Sequence, residues 1–197
     1  PGIPASAAFM EPSGWNFRLH DTVLKNEEVL AADARWKASN PELFLPAPTD
    51  RPIHRLTREA FSQIHQRRGN YFVARNLLGS AVEAFTLALT WQPENAQIWF
   101  GLAFAYDRAG SKDEARKAFT KVYDLMPYFP GINNALGLAA LDAGDPATAE
   151  LLFREEQRLF PKERNSAFNL KRLLEAKEKG SRISREGMST PDSTIRR

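Results

Sequence analysis

Three prolines, Pro93, Pro127 and Pro161, stand 34 residues apart, and around each the same side chains recur in the same order. A period of that length constrains the fold more than any composition can. It marks one supersecondary unit copied along the chain, each copy burying its apolar face against its neighbours. From Ala96 the unit runs through Trp99, Leu102, Ala103 and Tyr106, turns at Gly110, and continues with Ala115, Phe119 and Pro127. Moved on by 34 residues, Leu136, Gly137, Gly144, Ala149, Phe153 and Pro161 fall in step. Moved back by the same interval, Gly69, Phe72, Ala81, Phe85, Ala88 and Pro93 do so. Within a unit the spacing is helical. Ala115, Ala149 and Gly137 are small enough for two helices to approach closely. Phe119 and Phe153 lie one turn beyond Ala115 and Ala149 and fill the space between helices. Gly110 and Gly144 suit the left-handed end of a first helix, and the prolines stop the second.

This pattern resembles the tetratricopeptide repeat family, whose helix–turn–helix unit carries Trp, Leu, Gly, Tyr, Ala, Phe, Ala and Pro at set places. The middle unit matches seven of these eight, with Ala103 counted for Gly and Val122 in place of the last Ala. The third keeps Leu136, Gly137, Ala149, Phe153 and Pro161 but has Asn133, Ala140 and Glu156 elsewhere. The first has His65 and Arg68 where Trp and Leu belong. The resemblance covers about residues 62–163. It implies an all-α fold, a right-handed α-solenoid of about three such units with a concave side.

The first unit has neither Gly nor Asp at its expected turn near Asn76–Leu77. Two placements compete. The turn can slide to Gly79–Ser80, where Ser80-Ala81-Val82-Glu83 reads as a capping box. Or it can fall at Gly69–Asn70, between a helix over residues 53–68 and a longer one over 71–92. The second is preferred, because Arg67-Arg68-Gly69-Asn70 reads as a helix end.

The flanks differ from the repeats. Seven of the 13 prolines lie in the first 52 residues, so residues 1–52 read as a Pro-rich arm. Asp21 to Ala38 is its one expected helix, with Val23, Leu24, Val29, Leu30 and Trp36 as apolar members. The prolines from Pro41 to Pro48 exclude a buried strand there. Phe9, Met10, Trp15, Phe17, Trp36, Leu43 and Phe44 are too many large apolar groups for a flexible leader. The arm therefore either packs along the solenoid's own surface, the preferred reading, or grips a partner subunit. After the solenoid, residues 53–163, Asn165 to Lys179 reads as a capping helix within residues 164–180, with Leu170, Leu173 and Leu174 inward. Residues 181–197 lack periodicity and read as a disordered, basic tail.

Charge follows the same division. The net charge is +3. Residues 162–197 carry ten basic and five acidic side chains, a net of +5. The body is slightly acidic, so nucleic acid is not the expected partner, and the tail suits an acidic surface.

The chemistry expected is sparse. The chain has no cysteine, which removes disulfides, thiolate metal sites and thiol catalysis. His20, His54 and His65 do not pair at helical metal-ligand spacing and read as solvent-exposed or capping residues. No phosphate loop, dinucleotide fingerprint or nucleophile elbow occurs. No cofactor and no catalytic residue are expected. No apolar stretch reaches the roughly 20 residues of a membrane helix. A start at Pro1 leaves room for a removed upstream segment, and the compartment stays open between free, processed and organellar or membrane-associated settings.

The resemblance also implies where a ligand lies, along the inner face of each unit's first helix. In the middle unit those places are Gln97, Phe100, Phe104, Asp107 and Arg108; in the third, Asn134, Leu138 and Leu141 are prominent. Family members that bind chaperone tails hold a terminal carboxylate with a clamp of Lys, Asn and Arg. Asn70 fits that clamp; Gln66, Gly101, Gly131 and Ala135 do not. The aromatic and leucine side chains suit an apolar helix or extended peptide instead. The expected function is a non-catalytic protein–protein interaction module, an adaptor, assembly factor or accessory subunit. The alternatives are a structural subunit fastened by its arm and outer faces, and a three-repeat secretion or assembly chaperone. The groove is either open or covered by the chain's own arm or end helix.

Overall fold

The computed structural model describes residues 10–13, 16–19, 24–45 and 55–180. Among them eight α-helices form the body. They are α1 (Asn26–Ser39), α2 (Arg55–Ala74), α3 (Leu78–Trp91), α4 (Ala96–Ala109), α5 (Lys112–Leu125), α6 (Ile132–Asp142), α7 (Pro146–Leu159) and α8 (Arg164–Glu178). The helices α2–α3 and α6–α7 are expected helix–turn–helix pairs, and α4 and α5 stand between them in chain order. The chain divides into two compact units, residues 1–111 and 112–197. His20, His54 and the basic tail lie outside the described residues.

To the helical body is added a two-stranded antiparallel hairpin, β1 (Met10–Ser13) with β2 (Asn16–Leu19). Pro12 sits opposite Phe17.

In the first unit, α2, α3 and α4 enclose a core of Phe72, Ala81, Phe85, Ala88, Ile98 and Leu102. Phe85 is its centre. A Cβ added to Gly69 on α2 or to Gly101 on α4 would meet the Phe85 ring at 2.7 Å. Glycine at both places is therefore what lets two helices close on one ring. Asn95 caps α4 by accepting from the backbone N–H groups of Gln97 (3.1 Å) and Ile98 (3.3 Å). The Trp99 indole donates to the Pro93 carbonyl at 2.7 Å, which ties the repeat's proline to its tryptophan.

The turn of the first repeat corrects both sequence placements. The chain turns neither at Gly69–Asn70 nor at Gly79–Ser80; α2 runs on to Ala74 and α3 starts at Leu78. Asn76 takes the left-handed conformation itself, at φ 58°. Asparagine tolerates that region better than most residues. Gly69, with Phe85 packed against it, is needed inside the helix rather than at its end.

Residues 24–45, part of the expected arm, pack on the first unit. Leu24 and Val29 join the core of the first unit. Helix α1 starts later than expected, at Asn26, where the Glu28 carboxylate accepts from the Lys25 N–H at 2.7 Å. A single 3-10 turn, Pro41–Phe44, follows it.

In the second unit, α5 buries Ala115, Ala118, Phe119 and Val122. The capping helix α8 forms where expected. Its Leu170 and Leu173 cluster with Leu138, Leu141, Ala149 and Phe153. A Cβ on Gly137 would meet the Phe153 ring at 2.6 Å, so α6 and α7 repeat the close approach. Asp145 caps α7 by accepting from the Thr148 N–H at 3.0 Å, with Pro146 at the first helical position.

Candidate functional site

The expected groove residues lie on two helices, each in its own unit. On α4, Gln97 is exposed, while Phe100 and Phe104 are half-buried. Asp107, the fourth, is buried. Arg108 is exposed. Its guanidinium lies 5.9 Å from the centre of the Phe104 ring and donates to the Val73 carbonyl (3.1 Å) and the Asn76 side-chain oxygen (2.9 Å). It therefore satisfies the end of α2 and holds the Phe104 ring in place.

On α6 the expectation meets a different outcome. Asn134, Leu138 and Leu141 are buried, the leucines beneath Leu170 and Leu173 of α8. The Asn169 amide of α8 donates to the Asn134 oxygen at 2.8 Å. These three residues serve the interface with the end helix. The physical reason is economy of apolar surface: a terminal helix must cover the leucines of the last repeat. The structure thus places Gln97, Phe100 and Phe104 on one accessible helix face and does not join Asn134, Leu138 and Leu141 to an open one.

Two buried charged groups occupy places where the family carries apolar side chains. Glu156 is buried in the second unit and accepts from the backbone N–H groups of Gly131 (2.7 Å) and Asn133 (3.1 Å). It caps α6 from α7. Burial pushes its carboxyl above the usual range, against the pull of those N–H groups.

Arg68 is the other, 1% exposed on α2. Its guanidinium donates to both oxygens of Asp33 on α1, at 2.7 and 2.9 Å. The rings of Trp36, Phe44 and Phe72 lie 5.7, 4.8 and 5.3 Å from it. One turn earlier, the buried His65 ring donates through Nε2 to the Leu43 carbonyl at 2.6 Å. A carbonyl can only accept, so a ring proton sits on Nε2. Burial lowers the His65 pKa to about 4, with the Leu43 bond opposing the shift and Arg68 adding to it. The expectation of a solvent-exposed or capping histidine fails at this position. The sequence signal was present in the two departures from the repeat, His65 and Arg68. Their partners stand 22 and 35 residues upstream, beyond any helical periodicity.

A shallow cleft at the end of α7 is lined by Arg154, Gln157, Arg158 and Pro161. Its arginines are paired within the helix, Arg154 with Glu150 (2.9 Å) and Arg158 with Glu155 (2.7 Å). Among the described residues no group of three His, Cys, Asp or Glu could hold a metal ion. Among the same residues no helix is long and apolar enough to cross a membrane.

Comparison with known proteins places these features. Residues 60–130 match the tetratricopeptide repeat family model. No curated protein matches the chain in sequence. Among solved structures the chain is similar to the Arabidopsis OM64 TPR domain, with 21% identity, a TM-score of 0.55, and 58% of this chain and 94% of that one covered. It is similar to the Sgt2 TPR domain from Aspergillus fumigatus, with 20% identity, a TM-score of 0.56, and 68% and 88% covered. It is also similar to the first TPR of Spaghetti (RPAP3) bound to the HSP90 peptide SRMEEVD, with 16% identity, a TM-score of 0.56, and 59% and 93% covered. At these identities the likeness is one of fold.

Proposed function

We propose that this chain, a tetratricopeptide repeat protein, holds another protein rather than transforming a substrate, and serves as an adaptor, assembly factor or accessory subunit. The observation that supports this reading is the pair Phe100 and Phe104, half-buried one turn apart on one face of α4, with Gln97 exposed beside them. An apolar helix or extended segment laid along α4 would finish burying both rings. Arg108 supports the site by fixing Phe104 and is not itself a ligand-reading group. The peptide held by the Spaghetti repeat ends in an acidic residue. This chain offers Asn70 but Gln66, Gly101 and Ala135 at the other places of a carboxylate clamp, so the ligand proposed here is apolar rather than acid-terminated.

The test is capture of partners by the chain as bait, with identification of what co-purifies, repeated with Phe100→Ala and Phe104→Ala together. Recovery of the partner should fall at least about tenfold while the helical circular dichroism is unchanged. Undiminished capture by a folded double variant would remove α4 as the site.

A second reading has its own observation. Tyr123, Met126 and Tyr128 are 41, 48 and 68% exposed along the end of α5 and the loop after it. A subunit fastened into a larger assembly through that outer face would lose incorporation with Met126→Ser and Tyr128→Ser and tolerate the two α4 substitutions.

A further inference from the structure

The cleft at the end of α7 brings cationic and apolar surface together within the second unit. Arg154 and Arg158 stand one helical turn apart and line it with Gln157 and Pro161. Each guanidinium gives one edge to a carboxylate of its own helix. Arg154 donates through Nε (3.1 Å) and Nη2 (2.9 Å) to Glu150, and Arg158 through Nε (2.8 Å) and Nη2 (2.7 Å) to Glu155. The Nη1 edge of each has no hydrogen-bond partner among the described residues. Exposed pairs of this kind add little stability, but they fix where the open edges lie. Charge is not balanced there. Lys177 of α8 shares Glu150 at 2.6 Å, so Arg154, Arg158 and Lys177 meet only Glu150 and Glu155.

An apolar turn stands beside the cleft. It runs between α5 and α6, exposes Met126 and Tyr128, and is closed by the Phe129 N–H donating to the Met126 carbonyl at 3.0 Å. Glu156 of α7 holds its far end by accepting from the Gly131 and Asn133 N–H groups. Glu156 adjoins Gln157 in the cleft wall, so the turn is docked at the cleft, and Tyr128 lies within electrostatic reach of Arg158.

We propose that the α7 cleft and the turn before α6 form one binding site for an acidic segment of a partner protein, in which a carboxylate bridges the open edges of Arg154 and Arg158 and a neighbouring apolar side chain covers Met126 and Tyr128. This rests on the outer-face reading given above and names the chemistry of its partner. A guanidinium edge presents parallel N–H groups that match the two oxygens of a carboxylate. The turn selects among acidic segments, and the arginines select among apolar ones. Glu150 and Glu155, held at the cleft, repel a polyanion such as nucleic acid, so the occupant is a protein segment with few carboxylates.

The probe is a fluorescent peptide, acetyl-Glu-Asp-Leu-Phe-Asp-Glu-amide, titrated into the full chain beside the same peptide with every carboxylate replaced by its amide. The acidic peptide should bind at least about tenfold more tightly than the amide one, and Arg154→Gln with Arg158→Gln should abolish that preference. Met126→Ser with Tyr128→Ser should weaken the acidic peptide at least about fivefold. Phe100→Ala with Phe104→Ala should leave it unchanged. Equal affinity of the two peptides, no binding of either, or a preference kept by the folded arginine variant overturns the proposal. Should that variant fail to fold, Arg154→Lys with Arg158→Lys decides. It keeps the charge and loses the fork, so it should bind the acidic peptide at least about threefold more weakly, and wild-type affinity overturns the bridge. Loss of binding confined to the Met126 and Tyr128 variant overturns the arginine bridge and leaves the outer-face reading standing. Loss confined to the arginine variant overturns the joint site. Binding that none of the four substitutions alters removes the outer-face reading as well.

Discussion

At the scale of single residues, the repeat is a rule about which side chains can touch. Phe153 lies on Gly137 because no Cβ intervenes, and Phe85 lies on both Gly69 and Gly101 for the same reason. Gly137→Ala should therefore destabilise the chain by about 1–2 kcal/mol: overpacking at 2.6 Å outweighs the gain of roughly 1 kcal/mol in helix propensity. A urea midpoint at or above that of the wild type would show that Phe153 can move aside. Phe119, 3% exposed, fills the equivalent place on α5. Phe119→Ala should cost about 3–5 kcal/mol, and thermal unfolding close to the wild type would contradict its role in the core. These contacts were legible because the repeat gives the same pair in several copies. Arg68 and Asp33 were not. A charged side chain on a helix reads as solvated, and nothing in the spacing of the two residues marks them as partners.

At the scale of elements, the terminal helices are the informative ones. Helix α8 was legible from its apolar face, yet the use to which Leu138 and Leu141 are put was not. The same leucines suit a ligand groove or an interface, and the choice depends on where α8 folds back. Helix α1 was legible as a helix with Val29 and Trp36 on its apolar face, but the polar contacts that pair it with α2 were not, since single contacts carry no periodicity. Asp33→Ala should destabilise the chain by about 3–5 kcal/mol, because it leaves Arg68 charged and buried. Arg68→Met combined with Asp33→Leu should return stability to within about 1–2 kcal/mol of the wild type. A double-mutant cycle from urea unfolding measures the coupling, and additive losses would mean that the ion pair is relaxed by water.

At the scale of the whole molecule, stability is linked to pH through His65. Its folded pKa, about 4, lies below the ordinary value of 6.5. Between those values the unfolded chain binds a proton that the folded chain excludes. The stabilising effect of the neutral ring is complete above pH 6.5 and is lost as pH falls toward 4. From pH 7 to pH 5 this group should remove about 2 kcal/mol. His65→Gln should show a correspondingly smaller fall across that window when urea midpoints are compared at the two pH values. An identical fall in both proteins would mean that the His65 ring takes up its proton as freely as an exposed histidine. What could be read along the chain alone was its periodic content: three repeats, their helices, their small-residue contacts and a closing helix. These follow from short-range spacing, which one dimension records. The contacts that distant segments make were settled in three dimensions: the turn at Asn76, the filling of the α6 face by α8, and the burial of His65 and Arg68 beneath residues 24–45. Each depends on two segments meeting in space, and whether a polar or apolar side chain is solvated, capped or covered is a property of the meeting and not of the residue.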